Sequence, residues 1–237
     1  VDGSDDPRWS IAWRVCEAIR RKYPAEVRAI GVHGALAHAD GEQGADFEAD
    51  SDVNIVVVSY RPRTGPAPTS RRIEGLVVDL GVISAEEYLS HARTLSTSWP
   101  LAADQYLTTR ALYDDTGWHE ALRDTHLTRL AEASGREFSA LARQAWCSAS
   151  ALVKRAAKAN DWYDTDGALL LLVQARIATA MVEGLLGRTY FRGRADAVRR
   201  TGLAGEDIPA VRERLAAQAE ELQRRGRPVD GDIWDLV

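Results

Sequence analysis

Apolar residues first recur at helical spacing at Trp9, Ala12, Trp13, Cys16 and Ile19. That spacing predicts an amphipathic helix over residues 9–21, with Pro24 beyond its end. The period then shortens. "VRAIGVHG" reads as a strand running into a glycine turn. "VNIVVVSY" is a continuous β-branched run, the signature of a strand buried on both faces rather than an exposed edge. The polar stretch "RPRTGPAPTSRR" reads as a loop, and "EGLVVDLGVI" as the next strand. "SAEEYLSHARTL" reads as a helix capped by Ser84, with Glu87 at the third position beyond it.

From Gly117 onward the pattern is helical. Helices are predicted over residues 118–132, 137–160, 166–187 and 208–225, with Gly187 and Gly226 suited to helix ends. The boundary falls at "YDDTGW", giving a mixed α/β domain over 1–116 and an all-helical domain over 117–237, an α+β chain. The most apolar run, "ALLLLVQARIATAMVEGLLG", is interrupted by Gln174, Arg176 and Glu183, so a buried core helix is expected rather than a membrane span.

Composition narrows the function classes. Apolar residues make up 45% and charged residues 27% of the 237, as in soluble globular proteins. The formal net charge of -5 argues against a nucleic-acid binder, which needs a basic stripe. Cys16 and Cys147 have no metal-ligand spacing and read as buried thiols of a reducing compartment. "VDGSDDPRWS" lacks the regions of a signal peptide. A cytoplasmic protein with neither a nucleic-acid nor a membrane partner is expected.

Candidate chemistry gathers in the first domain. Gly31 and Gly34 suit a turn after the first strand. Alternate strand residues share a face, so Asp52 and Asn54 point the same way, and Asp79 in "VVDL" could join them from an adjacent strand. Hard oxygen donors of this kind suit Mg²⁺ with phosphate and water. His33 and His38, beside the turn, are candidate bases near neutral pH. His91, His119 and His126 show no metal-ligand clustering, and the tryptophans, Trp99 and Trp146 among them, supply core or interface area. Arg155 and Lys158, with Lys154 beside them, form a basic helix face suited to phosphate or carboxylate, or simply to solvent. Asp40, Glu42, Asp46, Glu48 and Asp50 form an acidic stretch suited to a cationic ligand, or again to solvent.

With these residues in place, "AIGVHGALAHAD…SDVNIVVV", "GLVVDLGVI" and "STSWPLAADQYL" together resemble the nucleotidyltransferase superfamily, and within it the kanamycin nucleotidyltransferase family. The resemblance runs over about residues 27–188, the later part carried by "LLVQARIATAMVEGLLGR". It implies a nucleotidyltransferase-like domain followed by a helical domain, a homodimer, a nucleoside triphosphate with Mg²⁺, and a small hydroxylated metabolite such as an aminoglycoside. Asp52 and Asp79 match the first and third metal-binding carboxylates, and Gly34 the phosphate-binding turn.

The remaining matched positions depart from the family. Ala35 replaces the turn serine, His38 an arginine, Asn54 the second carboxylate, and Val77 a lysine. Ala151 stands at the helical general base, with Arg155 at the lysine that follows it. The helix over 138–160 holds no Asp or Glu, which leaves Glu132 and Asp161 beyond its ends. Asn54 still offers a carbonyl oxygen, so one ion is expected rather than two, because paired ions about 3.5–4 Å apart depend on bridging carboxylates. Standard two-metal adenylyl transfer is expected to be impaired. Two outcomes stay open: a silent nucleotide- or metabolite-binding module, or a cleft put to different chemistry on a secondary metabolite.

Overall fold

The computed structural model describes residues 6–38 and 52–233. Contacts divide the chain into two compact units. The first holds residues up to Thr94 together with Asp104–Ala131, and the second holds Leu95–Ala103 together with the chain from Glu132 onward.

The first unit is built on a five-stranded mixed sheet. Its strands are β1 (Val27–His33), β2 (Val53–Ser59), β3 (Thr69–Ile73), β4 (Leu76–Ser84) and β5 (Arg110–Asp114), in the order β3-β4-β2-β1-β5. β2 and β4 run parallel, and the other pairs are antiparallel. Helix α1 (Pro7–Lys22) starts at Asp6, whose carboxylate accepts from the Arg8 amide, with Pro7 in the first turn. Its stripe of Ile11, Ala12, Cys16 and Ile19 joins Ile30, Val32, Val53, Ile55, Val57, Val78 and Leu112 in one core. That burial pushes the Cys16 thiol up to about 11. Helix α2 (Ala85–Ala92) begins as predicted, with Ser84 accepting from the Glu87 amide.

Two strands departed from expectation. All of β3 but Ile73 lies in the stretch read as a loop, yet the strand pairs with β4 across the turn Glu74–Gly75, whose φ angles are +52° and +92°. Positive φ at both turn residues is the hairpin geometry that matches strand twist. Its side chains from Thr69 to Arg72 are exposed, so no hydrophobic alternation marks it. β5, also unanticipated, pairs with β1.

The boundary expected at Gly117 is not where the units divide. Helix α4 (Trp118–Glu132) counts with the first unit as far as Ala131. Its buried Trp118 and His126 pack at ring distances of 5.6 Å from Tyr88 and 4.8 Å from Tyr106, respectively. Packing, not chain order, assigns it. Helix α3 (Trp99–Thr108) carries the chain between the units.

In the second unit, α5 (Gly135–Asp161) and α6 (Thr165–Gly187) form an antiparallel pair joined by α7 (Arg194–Arg200) and α8 (Ile208–Arg224). Ser134, Asp164 and Asp207 cap α5, α6 and α8 by accepting backbone amides. α6 is long and apolar enough to cross a membrane. Its interrupting charges are nonetheless paired within the unit: Arg176 donates to the Glu206 carbonyl, and Glu183 meets Arg214 at 2.9 Å. The left-handed residue ending α6 is Arg188, φ +50°, rather than Gly187. Cys147 is exposed, against expectation. The buried stripe of α5 passes through Ala145 and Ala149, and Cys147 lies between them on the opposite side.

Candidate functional site

At the end of β1 the chain turns through Gly34 at φ +74°, a conformation glycine adopts without a Cβ penalty. It then enters a short 3₁₀ turn, Ala35–His38. Strand register lines up four polar residues beside this turn. His33 pairs with Asn54, Asn54 with Asp79, and Asp79 with Ser70, across β1, β2, β4 and β3. Paired residues share a face and lie one strand spacing apart, about 4.8 Å. Asp52, two residues before Asn54, extends outward on that face. The opposite face is dry, with Val53 and Ile55 fully buried. The amide nitrogen of Asn54 covers the turn, 3.3 Å from where a Cβ on Gly34 would stand.

The oxygen donors on this face are few. Asp52 and Asp79 offer carboxylates and Asn54 one amide oxygen. Among the described residues, no three His, Cys, Asp or Glu side chains are grouped to hold a metal. Magnesium bound with substrate phosphates needs only one or two carboxylates. A bridged pair of ions does not fit this donor set.

Behind the turn is a buried pair that the sequence did not reveal. His38 Nε2 lies 3.1 Å from Asp104 Oδ2, and the two side chains are 10% and 8% exposed. The other carboxylate oxygen, Oδ1, is buried and has no hydrogen-bond partner among the described residues. Asp104 comes from α3, in the apolar segment "SWPLAADQYL". A single acid in such a run is itself a signal, because a buried carboxylate requires a partner. His33 feels the same charge. Burial lowers its pKa, and the Asp104 carboxylate opposes that shift.

A second His–Asp pair performs a structural task. The Asp114 carboxylate accepts the Trp118 and His119 amides at the start of α4 and meets His119 Nδ1 at 3.1 Å. Burial would raise the Asp114 pKa, but these hydrogen bonds outweigh it and the net shift is downward. His119 Nε2 faces Gly31, 2.8 Å from where a Cβ would stand. A cavity of about 250 Å³ beside it is lined by Tyr106, Thr109, Glu120 and Arg123 among others. His126, fully buried, bonds the Ala92 carbonyl at 2.7 Å.

Ala151, Arg155 and Lys158 are exposed on α5 in the second unit, whereas the turn and the polar row belong to the first. Val77 is exposed on β4, where it pairs with Arg72 of β3. The acidic stretch from Asp40 to Asp50 lies outside the described residues.

No protein-family model matches the chain, and no curated protein matches its sequence. Among solved structures, the chain is similar to a nucleotidyltransferase-like protein from Exiguobacterium sibiricum 255-15, solved at 1.90 Å. The two are 14% identical with a TM-score of 0.44, over 90% of this chain and 75% of that one. A likeness this distant carries no argument about activity.

Proposed function

We propose that the chain is a divergent nucleotidyltransferase-like protein. Its cleft takes a nucleoside triphosphate with one Mg²⁺ and acts on a small hydroxylated metabolite, of which an aminoglycoside is one form. The observation that carries the reading is the register row His33–Asn54–Asp79–Ser70 beside the Gly34 turn, with Asp52 on the same face. In this reading the backbone of the Gly34 turn receives phosphate oxygens. Asp52 and Asp79 hold the cation with Asn54 at its margin. Magnesium, when bound, offsets phosphate charge and orients the leaving group.

A second reading is favoured by Asn54 and by the absence of any Asp or Glu over residues 138–160: the same cleft binds a nucleotide or metabolite without turning it over. Both readings require ligand binding. Titration calorimetry of the full chain with the common nucleoside triphosphates, with and without Mg²⁺, tests that requirement. Saturable binding strengthened by Mg²⁺ is expected. No heat with any triphosphate would refute the nucleotide reading, and nucleotide binding without label transfer to any hydroxyl acceptor would select the silent one.

A further inference from the structure

The geometry points to His38 as the proton acceptor of this cleft, with Asp104 as the residue that positions it. The inference rests on the transferring form of the function proposed above. Transfer to a hydroxyl requires a group to take its proton, and α5 offers no carboxylate between residues 138 and 160. The first unit supplies an alternative at the turn itself. His38 ends the 3₁₀ turn that begins immediately after Gly34. Its Nε2 lies 3.1 Å from Asp104 Oδ2; a carboxylate oxygen can only accept there, so the neutral ring that fits this contact carries its proton on Nε2 and its lone pair on Nδ1. A base held in one tautomer by a carboxylate behind it is the recurring form of an activated proton acceptor. Both side chains are about nine-tenths buried, and Asp104 Oδ1 has no hydrogen-bond partner among the described residues. A buried carboxylate with an unmet oxygen is uncommon in a purely structural role.

The step balances with a nucleoside triphosphate as co-substrate. The acceptor O–H proton passes to Nδ1 of His38. The oxygen lone pair forms a new bond to the α-phosphorus, and the bond from that phosphorus to the bridging oxygen breaks. Its electron pair leaves on pyrophosphate.

The test compares the wild-type chain with His38→Gln and Asp104→Asn. It measures label transfer from an α-labelled triphosphate to a panel of aminoglycosides and simpler polyols, and nucleotide Kd by calorimetry. His38→Gln is expected to lower kcat by roughly 10²–10⁴ and Asp104→Asn by at least about tenfold, each with nucleotide Kd within about twofold of wild type. Nitrogen-15 NMR of histidine-labelled wild-type protein should show His38 protonated on Nε2, a readout that needs no variant to fold. A kcat within about threefold of wild type in His38→Gln, or an Nδ1-protonated ring, overturns the inference while nucleotide binding stands. A wild-type chain that binds nucleotide but labels no acceptor does the same. A wild-type chain that binds no nucleotide overturns the underlying reading, and the inference with it.

Discussion

Gly31→Ala is a direct test of how the sheet under the site is held. A Cβ at Gly31 would stand 2.5 Å from Thr109 Cγ2, 2.8 Å from His119 Nε2 and 3.3 Å from the Arg110 carbonyl oxygen. None of these neighbours is free to withdraw. His119 is 9% exposed and is tied to Asp114 through both its ring and its amide, and Arg110 belongs to the paired strand β5. Overpacking of a filled core costs about 1–3 kcal/mol, and simultaneous contact with backbone and a bonded ring places this case at roughly 2–3 kcal/mol. For a chain of this size that lowers Tm by about 4–12 °C, at roughly 2–4 °C per kcal/mol. Thermal unfolding followed by circular dichroism measures it. Thr109→Ser removes the nearest atom while keeping its hydroxyl bond to the Gln105 carbonyl. The double variant should therefore recover at least about 0.5 kcal/mol relative to additivity. A Gly31→Ala protein that melts within about 1 °C of wild type, or a strictly additive cycle, would refute the packing described for β1 and α4.

Two further predictions concern charge. Burial lowers the pKa of His33, His119 and His126 in the folded chain, so near pH 6.5 the unfolded chain binds more protons than the folded one. Stability is then full above the unfolded value of about 6.5 and falls as pH drops through it, by up to about 1.4 kcal/mol per pH unit for each histidine. Denaturant melts between pH 8 and pH 5 should show the decline and a shallower slope in His126→Gln; stability that is flat or rises on acidification would contradict the burial of these rings. Asn54→Asp places a third carboxylate in the polar row and should tighten Mg²⁺ binding by about tenfold or more, near the lower end of a Coulomb estimate at 4 Å. Calorimetry with Mg²⁺ alone reads it, and unchanged affinity would remove residue 54 from the cation site.

Most of the fold was legible because its elements bury a strong pattern. The stripe of α1, the β-branched run of β2 and the Ser84 cap were each read from local residues and found as read. β3 was not legible, because an edge strand with exposed Thr69, Ser70, Arg71 and Arg72 carries no alternation. The placement of α4 was not legible either. Which unit a helix joins depends on where Trp118 and His126 find aromatic partners, and Tyr88 and Tyr106 lie far from them in sequence. The candidate site divides along the same line. Gly34, Asp52 and Asp79 are candidates on strand and turn context alone, whereas Asp104 is marked in the sequence only as a lone acid in an apolar run, and its partner His38 is given by the placement of α3.

Relative to the family the chain resembles, the departures at residues 35 and 54 read physically as one change rather than two. Where the resembled family has a serine hydroxyl at the turn, this chain has Ala35. Directly over the same turn, the amide nitrogen of Asn54 faces Gly34, and an amide nitrogen donates hydrogen bonds where a carboxylate only accepts them. A carboxylate there would draw a cation inward and repel phosphate unless the cation were bound. In the proposed reading Asn54 would avoid that repulsion and add a donor, offsetting in kind the hydroxyl missing at residue 35. In the proposed reading the row would then favour an anion together with a single cation, for which Asp52 and Asp79 would be the ligands. On this reasoning phosphate affinity in this cleft depends less steeply on Mg²⁺ than three carboxylates would make it. Restoring acid at residue 54 should then strengthen metal binding while weakening binding of a metal-free triphosphate, two opposite responses from one substitution.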